Sequence, residues 1–213
     1  MTRNIKNLLT VREYVDELVL KLQQSRDLQL ALEPTVLETL DTDDCQLRNG
    51  QIHGLAKITH DKRPRLQLPT QSHTGFDVAA TLLVKDITFE AAYEYTSAPL
   101  YVRGAVEGKV DVVRMELLIA GPQEMFNIST VKTFRVKEFT GVTVTKMSAG
   151  IPFQKHVAPR TTKAVRETIT SAMANRATPV LQDTVARNSF PKFSTEEQPN
   201  VGLNFPLPTK QCA

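Results

Sequence analysis

The chain has 213 residues, 41% hydrophobic and 23% charged, enough for one domain to bury about 70% of its unfolded surface without disulfide or metal staples. Lys and Arg number 26 against 23 Asp and Glu, a formal charge of +3 too weak and too dispersed to point to nucleic acid. Nine Phe, four Tyr and no Trp argue against a base-stacking surface, and no run nears the ~18 apolar residues of a transmembrane helix.

Two cysteines, Cys45 and Cys212, make no CxxC and no Cys/His cluster; one bridge or two free thiols both remain open. The opening Met-Thr-Arg-Asn-Ile-Lys holds no apolar core of a signal peptide. Either the protein is intracellular, or this is a mature chain with a starting Met. Asn127-Ile128-Ser129 is a glycosylation sequon of a kind that often arises by chance.

The first element is a helix over residues 4–25. Leu8, Val11, Val15, Leu18 and Leu22 recur in steps of three and four, and Ile5, Leu9, Val19 and Leu20 widen the face. So broad a stripe covers something large and apolar; a coiled-coil strand is the minor alternative. Residues 26–44 are mixed: a loop, or a short helix starting near Pro34, ended by Asp41, Asp43 and Asp44.

From 46 to 147 the period becomes two. Gln46 to Ile58 reads as a strand pair or one strand bent at Gly50 and Gly54, and Arg65 to Leu68 alternates before Pro69. The clearest run is Phe76 to Tyr95. Phe76, Val78, Ala80, Leu82 and Val84 share a face; after Asp86 the phase inverts, and Ile87, Phe89, Ala91, Tyr93 and Tyr95 take the apolar side. A two-residue hairpin at Lys85-Asp86 would do this, but Lys-Asp lacks the Gly or Asn that tight hairpins favour. A bulge in one strand of about twenty residues is the better reading, and strands that long coil around something. Leu100 to Val106 and Val110 to Ala120 follow as two strands, with Gly104 and Gly108 as bend points. After a turn at Gly121-Pro122 come Phe126 to Val136 and Phe139 to Met147. Close spacing in sequence makes the sheet antiparallel.

Gly150, Pro152 and Pro159 punctuate the exit, and a helix spans 160–188. Val165, Ile169, Ala172, Met173 and Ala177, then Val180, Leu181 and Val185, form its apolar face; Arg176 marks its margin, and Pro179 kinks or splits it. From Pro191 the chain is Pro-rich and aperiodic and reads as a mobile tail. The organisation is one domain over 1–190 and a tail over 191–213.

No signature of enzymatic chemistry stands out. His53, His60, His73 and His156 are not at metal-ligand spacing, and GxSxG, P-loop and GxGxxG motifs are absent. Asp41, Asp43 and Asp44 lack the Gly and Glu of a calcium loop and read as a solvated turn. Lys62, Arg63 and Arg65 could meet an anionic headgroup or form an ordinary solvated loop. No catalytic, metal or cofactor site is expected. A sheet that rolls around a long helix, with strands as apolar as Val110, Val112, Val113, Met115, Leu117, Leu118 and Ile119, encloses either a packed core or an elongated apolar cavity suited to an acyl chain.

Leu47-Arg48-Asn49-Gly50-Gln51-Ile52-His53-Gly54-Leu55 resembles an early strand motif of the mite group 7 allergens. Thr133 to Phe139 is similar to a later strand of that family, and Leu181-Gln182-Asp183-Thr184-Val185 to its C-terminal helix. Phe76 to Tyr95 is similar in style to wider relatives, the juvenile-hormone-binding and takeout-like proteins and the bactericidal/permeability-increasing protein family. The resemblance covers residues 5–190. It departs at Cys45, which has no near partner for the N-terminal disulfide of takeout-like members. It implies an α+β super-roll, a long curved antiparallel sheet wrapped around the C-terminal helix, in a mostly secreted, non-enzymatic family. It implies a lipid or other hydrophobic small molecule as ligand, for binding or transport, with an anionic lipid surface as a further partner. The inward positions assigned to ligand contact, each also suited to plain core packing, are Val78, Leu82, Phe89, Tyr93, Leu117, Ile119, Phe134, Val165, Ile169 and Met173. The alternative is a protein-interaction or pattern-recognition module with a filled core.

Overall fold

The computed structural model describes residues 2–191 except 43, 62, 68–75, 98, 122–127 and 149–150, with the backbone alone for 2–9, 100 and 151–153. His73, Cys212 and the Pro-rich tail beyond 191 lie outside the described residues, as do Lys62 of the basic cluster and Asp43 of the acidic one.

Helix α1 (Thr2–Gln24) buries Val11, Tyr14, Val15, Leu18, Val19 and Leu22, while Leu20, expected on the same face, is 51% exposed. Helix α2 (Arg26–Leu32) precedes Pro34 rather than starting at it. Ser25 explains the start: its hydroxyl accepts the Leu28 N–H at 3.2 Å as an N-cap, and Asp27 in the first turn complements the helix dipole. Pro34 explains the stop, because the residue before a proline is pushed out of the helical region.

Three long antiparallel strands, β6 (Asp77–Ser97), β7 (Leu100–Ala120) and β8 (Thr130–Met147), form the body of the sheet. A strand of 21 residues would run about 70 Å if straight. Along the other side of β6 lies one interrupted strand in three pieces, β3 (Cys45–His53), β4 (Ile58–His60) and β5 (Arg65–Gln67), each antiparallel to β6. Short β1 (Thr35–Val36) and β2 (Leu40–Thr42) pair with β3. The stretch from Gln46 is therefore a single bent path. Asn49, at φ +53°, provides its first bend: the register shifts between Arg48 and Gln51, so Asn49 and Gly50 both oppose Ala91 as a bulge.

The phase inversion in β6 is real, and its cause is broader than one inserted residue. Val84 and Ile87 are both fully buried while Lys85 and Asp86 face out, and Asp86 has φ +54°. Yet the β6–β7 register runs unbroken across this point, Val84 opposite Val113 and Ile87 opposite Val110. The neighbour must invert at the same level, and it does: Val110 and Val113 are both buried. Beyond them Val113 pairs with Phe139 and Val110 with Val142, and between these two Gly141 has φ +64°. On the opposite side Gly54 has φ +94°, and a Cβ there would stand 3.3 Å from the Asp86 carbonyl oxygen. Gly54, Asp86, Asp111 and Gly141 thus form a transverse row where the strands exchange faces together. Three left-handed residues in line let the sheet bend there with its register preserved, at the cost of the ladder pairs at Asp86, Asp111 and Gly141 themselves. Glu33 supports one end of the row, its carboxylate accepting the N–H groups of Gly54 (3.1 Å) and Ala56 (2.9 Å).

The expected break in β7 at Gly104 and Gly108 is absent; β7 is one strand. At Gly108 the register with β8 does shift, and both glycines also seat aromatic rings. Phe89 lies directly opposite Gly108, and Tyr93 opposite Gly104. A Cβ on Gly108 would stand 2.1 Å from Phe89 Cζ, and one on Gly104 would stand 2.7 Å from Tyr93 Oη. Strand β8 is likewise one strand where two segments were expected; Phe126 lies outside the described residues.

The C-terminal helix fills the inner face. It begins at Ile151, not 160: α3 (Ile151–Ala172) runs through Pro159. A π turn, Met173–Ala177, then joins it to α4 (Thr178–Arg187), which has Pro179 in its first turn. Pro179 splits the helix as expected, because it has no N–H to continue the ladder. The π turn accommodates it: the Thr178 N–H reaches the Met173 carbonyl, which also accepts the Thr178 hydroxyl at 3.1 Å. The segments, 22, 5 and 10 residues long, extend about 55 Å together at 1.5 Å per residue, a length matched to the sheet they line. Val157, Val165, Ile169, Met173, Leu181 and Val185 enter the common core. The architecture is an α+β super-roll: a long curved antiparallel sheet wrapped around the C-terminal helix, with α1 alongside. The outer face carries cross-strand ion pairs such as Glu116–Arg135 (2.8 Å), Glu107–Lys146 (2.8 Å) and Arg114–Glu138 (3.6 Å), so one face meets water and the other the core.

Candidate functional site

The bend row divides the interior into two halves. In one, Val78 pairs with Ile119 and Leu117 with Phe134, and Leu82 lies on the same inner face. In the other stand Phe89 and Tyr93 over their glycines. Val165, Ile169 and Met173 approach from the helix. Nine of the ten assigned positions are at most 2% exposed, and Phe134, partly buried, packs against the same cluster. The structure therefore gathers all ten into one apolar interior.

Strand β8 borders that interior differently from the other long strands. β6 buries its inward residues, and β7 does so from Val106 onward, whereas Val131, Phe134, Val136, Phe139, Val142, Val144 and Met147 are only partly buried. β8 is the terminal strand of the sheet among the described residues, so helices must cover its inner row. At its start the cover is polar and tight: the Gln182 side chain of α4 accepts the Val131 N–H at 2.8 Å and donates to the Ser129 carbonyl at 3.5 Å. Towards the other end a groove of about 560 Å³ opens between β8 and α3. Val142, Thr143 and Val144 form one wall; Gln154, Lys155, Ala158, Pro159 and Thr162 form the other. That volume lies within the ~300–1,000 Å³ of small-molecule sites. None of the ten assigned residues lines the groove. Its own residues escape a reading by periodicity because the site exists only where two elements distant in sequence meet. The nearest signals are the alternation of Val142 with Val144 and the small side chain of Ala158.

The groove has polar and apolar sides. Pro159 has no N–H, so the Lys155 carbonyl lacks its usual helical donor four residues on; Lys155 and Gln154 side chains are exposed at the rim. Beside the groove, α3 is fixed to the sheet. His156 stacks on Tyr95 with ring centroids 5.5 Å apart, and Arg160 pairs with Asp44. Cys45, buried and without a disulfide partner among the described residues, has its thiol pushed up by burial, opposed by Arg160 and reinforced by Asp44. Two tyrosine hydroxyls in the interior, those of Tyr14 and Tyr93, have no hydrogen-bond partner. Tyr14 lies at the far half, edge-on to Phe190 at 5.5 Å, and burial pushes its phenol well above the ordinary range.

Two of the histidines, His60 and His156, hold elements together. His60 ties β4 to α1, its ring nitrogens 2.6 Å from Asp16 Oδ1 and 2.7 Å from the Asp61 carbonyl. Asp41 accepts from Gln46 at 2.7 Å. Among the described residues no His, Cys, Asp and Glu group is placed to hold a metal ion, and no helix is long and apolar enough to cross a membrane.

No protein-family model matches this chain, and no curated protein matches it. Among solved structures it is similar to lipopolysaccharide binding protein, at 15% identity and TM-score 0.43 over 81% of this chain and 40% of that one. It is also similar to Takeout 1 of Epiphyas postvittana, at 15% identity and TM-score 0.28 over 72% of this chain and 73% of that one. The chain thus spans well under half the length of lipopolysaccharide binding protein.

Proposed function

We propose that the protein binds a lipid or other hydrophobic small molecule without catalysing its conversion, taking it up through the groove between β8 and α3. The observation that carries this reading is the groove itself. Val142 and Val144 on one wall and Ala158 and Pro159 on the other give it apolar surface on both sides, and it borders β8, whose inward row is only partly covered. A ligand chain laid along Val142, Val144, Ala158 and Pro159 leaves water for hydrocarbon contact at about 0.8 kcal/mol per buried CH2. The rim groups of Gln154 and Lys155 face solvent and suit a polar or anionic end. With the resemblance of its strand motifs to the mite group 7 allergens, this reading carries a secreted protein that holds or transports its ligand outside cells.

Native mass spectrometry of gently purified protein, followed by organic extraction, tests it. A stoichiometric lipid, or uptake of one from a mixed-lipid challenge, is the expected result. One observation favours a second reading: nine interior positions are at most 2% exposed, as in a filled scaffold that works through protein partners. A clean unliganded mass after the challenge would select that reading.

A further inference from the structure

We propose that Tyr93 is the polar anchor of the ligand site, so that the protein selects an amphiphile with an oxygen function over a plain hydrocarbon of equal length. The inference rests on the hydrophobic-ligand reading above and names the chemical class of its ligand.

Tyr93 is 1% exposed, and its hydroxyl has no hydrogen-bond partner. Such a group is costly inside a protein, since it gives up water and receives nothing in exchange. Phenylalanine would fill the same space at no such cost. The phenol tip is also aimed. From β6 the ring crosses β7 over Gly104, where a Cβ would stand 2.7 Å from Tyr93 Oη and 2.3 Å from Ser148 Oγ. The hydroxyl therefore reaches towards the end of β8, the strand whose Val142 and Val144 wall the groove. Ser148 does not answer it: its oxygen accepts the Ala105 N–H at 2.7 Å and donates to the Ala105 carbonyl at 3.4 Å. Two residues on, Tyr95 stacks under His156, which sets the α3 turn carrying Gln154 and Lys155 over this same end.

A ligand lying along the groove and extending past Val144 to the end of β8, with the packing over the ring parted, would bring an acceptor to the unpartnered Tyr93 hydroxyl. An alcohol, ester or carboxyl oxygen serves; a methyl terminus does not. Tyr14, the other unpartnered phenol, sits beneath Phe190 in the opposite half and has no part in this.

The test compares 1-dodecanol with dodecane, each delivered from cyclodextrin to wild-type protein and to Tyr93→Phe. Wild type should bind the alcohol roughly threefold to tenfold more tightly than the alkane, the range of one net hydrogen bond. Tyr93→Phe should lose that preference, keep its dodecane affinity, and melt at or above the wild-type temperature because an unpaired hydroxyl has gone. The 13C resonance of [1-13C]dodecanol should differ between the two complexes. Equal binding of both probes by wild type would overturn the inference and leave the hydrophobic site standing. A preference that survives in Tyr93→Phe would do the same, assigning the anchor to another group. Failure of wild type to take up either probe would overturn the inference together with the reading beneath it.

Discussion

Gly108→Ala puts the seating of aromatic rings on glycine to a quantitative test. Its Cβ would stand 2.1 Å from Phe89 Cζ and 2.4 Å from the Thr143 carbonyl oxygen, both far inside van der Waals contact. The ring belongs to a residue only 2% exposed, and the oxygen belongs to the backbone of β8. Relief requires either displacing Phe89 within a packed interior or separating β7 from β8. Overpacking of this kind costs about 1–3 kcal/mol, and the lower chain entropy of alanine in the unfolded state returns about 0.4–1. A net loss of about 1–2 kcal/mol lowers the melting temperature by roughly 2–8 °C in a chain of this size. Gly104→Ala is the comparison: its nearest atoms, Ser148 Oγ at 2.3 Å, Tyr93 Oη at 2.7 Å and Tyr93 Cζ at 2.8 Å, include no backbone atom, so its loss should be smaller. Calorimetry on both variants and on Gly108→Ala/Phe89→Leu measures the effect. Removing the ring should make the double variant less destabilised than the sum of the singles. A Gly108→Ala protein that melts at or above wild type, or above Gly104→Ala, would refute the argument.

Three further outcomes are expected. Ala158→Trp should fill the groove and weaken uptake of a hydrophobic probe at least tenfold by fluorescence titration, with the far-ultraviolet circular dichroism unchanged; undiminished uptake would move the site elsewhere. Asp86→Val should cost about 1–2 kcal/mol by urea unfolding, because a β-branched residue is strained at φ +54°, whereas Asp86→Gly should be neutral or stabilising. Gln182→Ala should free the Val131 amide, cost about 1 kcal/mol and raise the exchange rate of that amide with solvent; an unaltered rate would show that the side chain does not close the strand.

Much of the sheet is legible in the sequence because its inner face follows a period of two over twenty residues. The inversion after Asp86 can be read directly from Val84 and Ile87. Its extent across neighbouring strands cannot, since that depends on register. The misreadings have specific causes. A glycine within a strand signals a bend or a ring seated against it, and only the pairing of Gly108 with Phe89 decides between them. Pro159 counts against helix by local rules, but tertiary contacts of α3 on either side, Tyr95 with His156 and Asp44 with Arg160, hold the helix through it. The ten interior positions fall where periodicity puts them. The groove does not emerge from periodicity, because Val144 and Ala158 meet only after the sheet has rolled.

The two margins of the sheet differ in a way that locates the mouth of the roll. On the β4 side, α1 is held by directional polar contacts: the Gln23 side chain donates to the Ile58 carbonyl at 2.9 Å, and Asp16 meets His60 at 2.6 Å. Moving α1 away would break these bonds and uncover Leu18 and Leu22, both fully buried. On the β8 side, the start of the strand is closed by Gln182, and the groove lies towards the other end. There the contact between strand and helix is mainly apolar and already incomplete, so separating them further sacrifices little directional bonding. Arg160–Asp44 and His156–Tyr95 anchor α3 towards β3 and β6, while Arg166 of α3 lies over the Phe139 ring of β8 at 5.2 Å. The end of β8 stays paired with β7, Val144 opposite Gly108 and Met147 opposite Val106, so an opening here parts side chains of α3 from β8 and leaves the sheet intact. On the proposed reading, access through this margin breaks none of the hydrogen bonds that hold α1, and it brings a ligand towards Phe89 and Tyr93, the two rings seated on the glycines of β7.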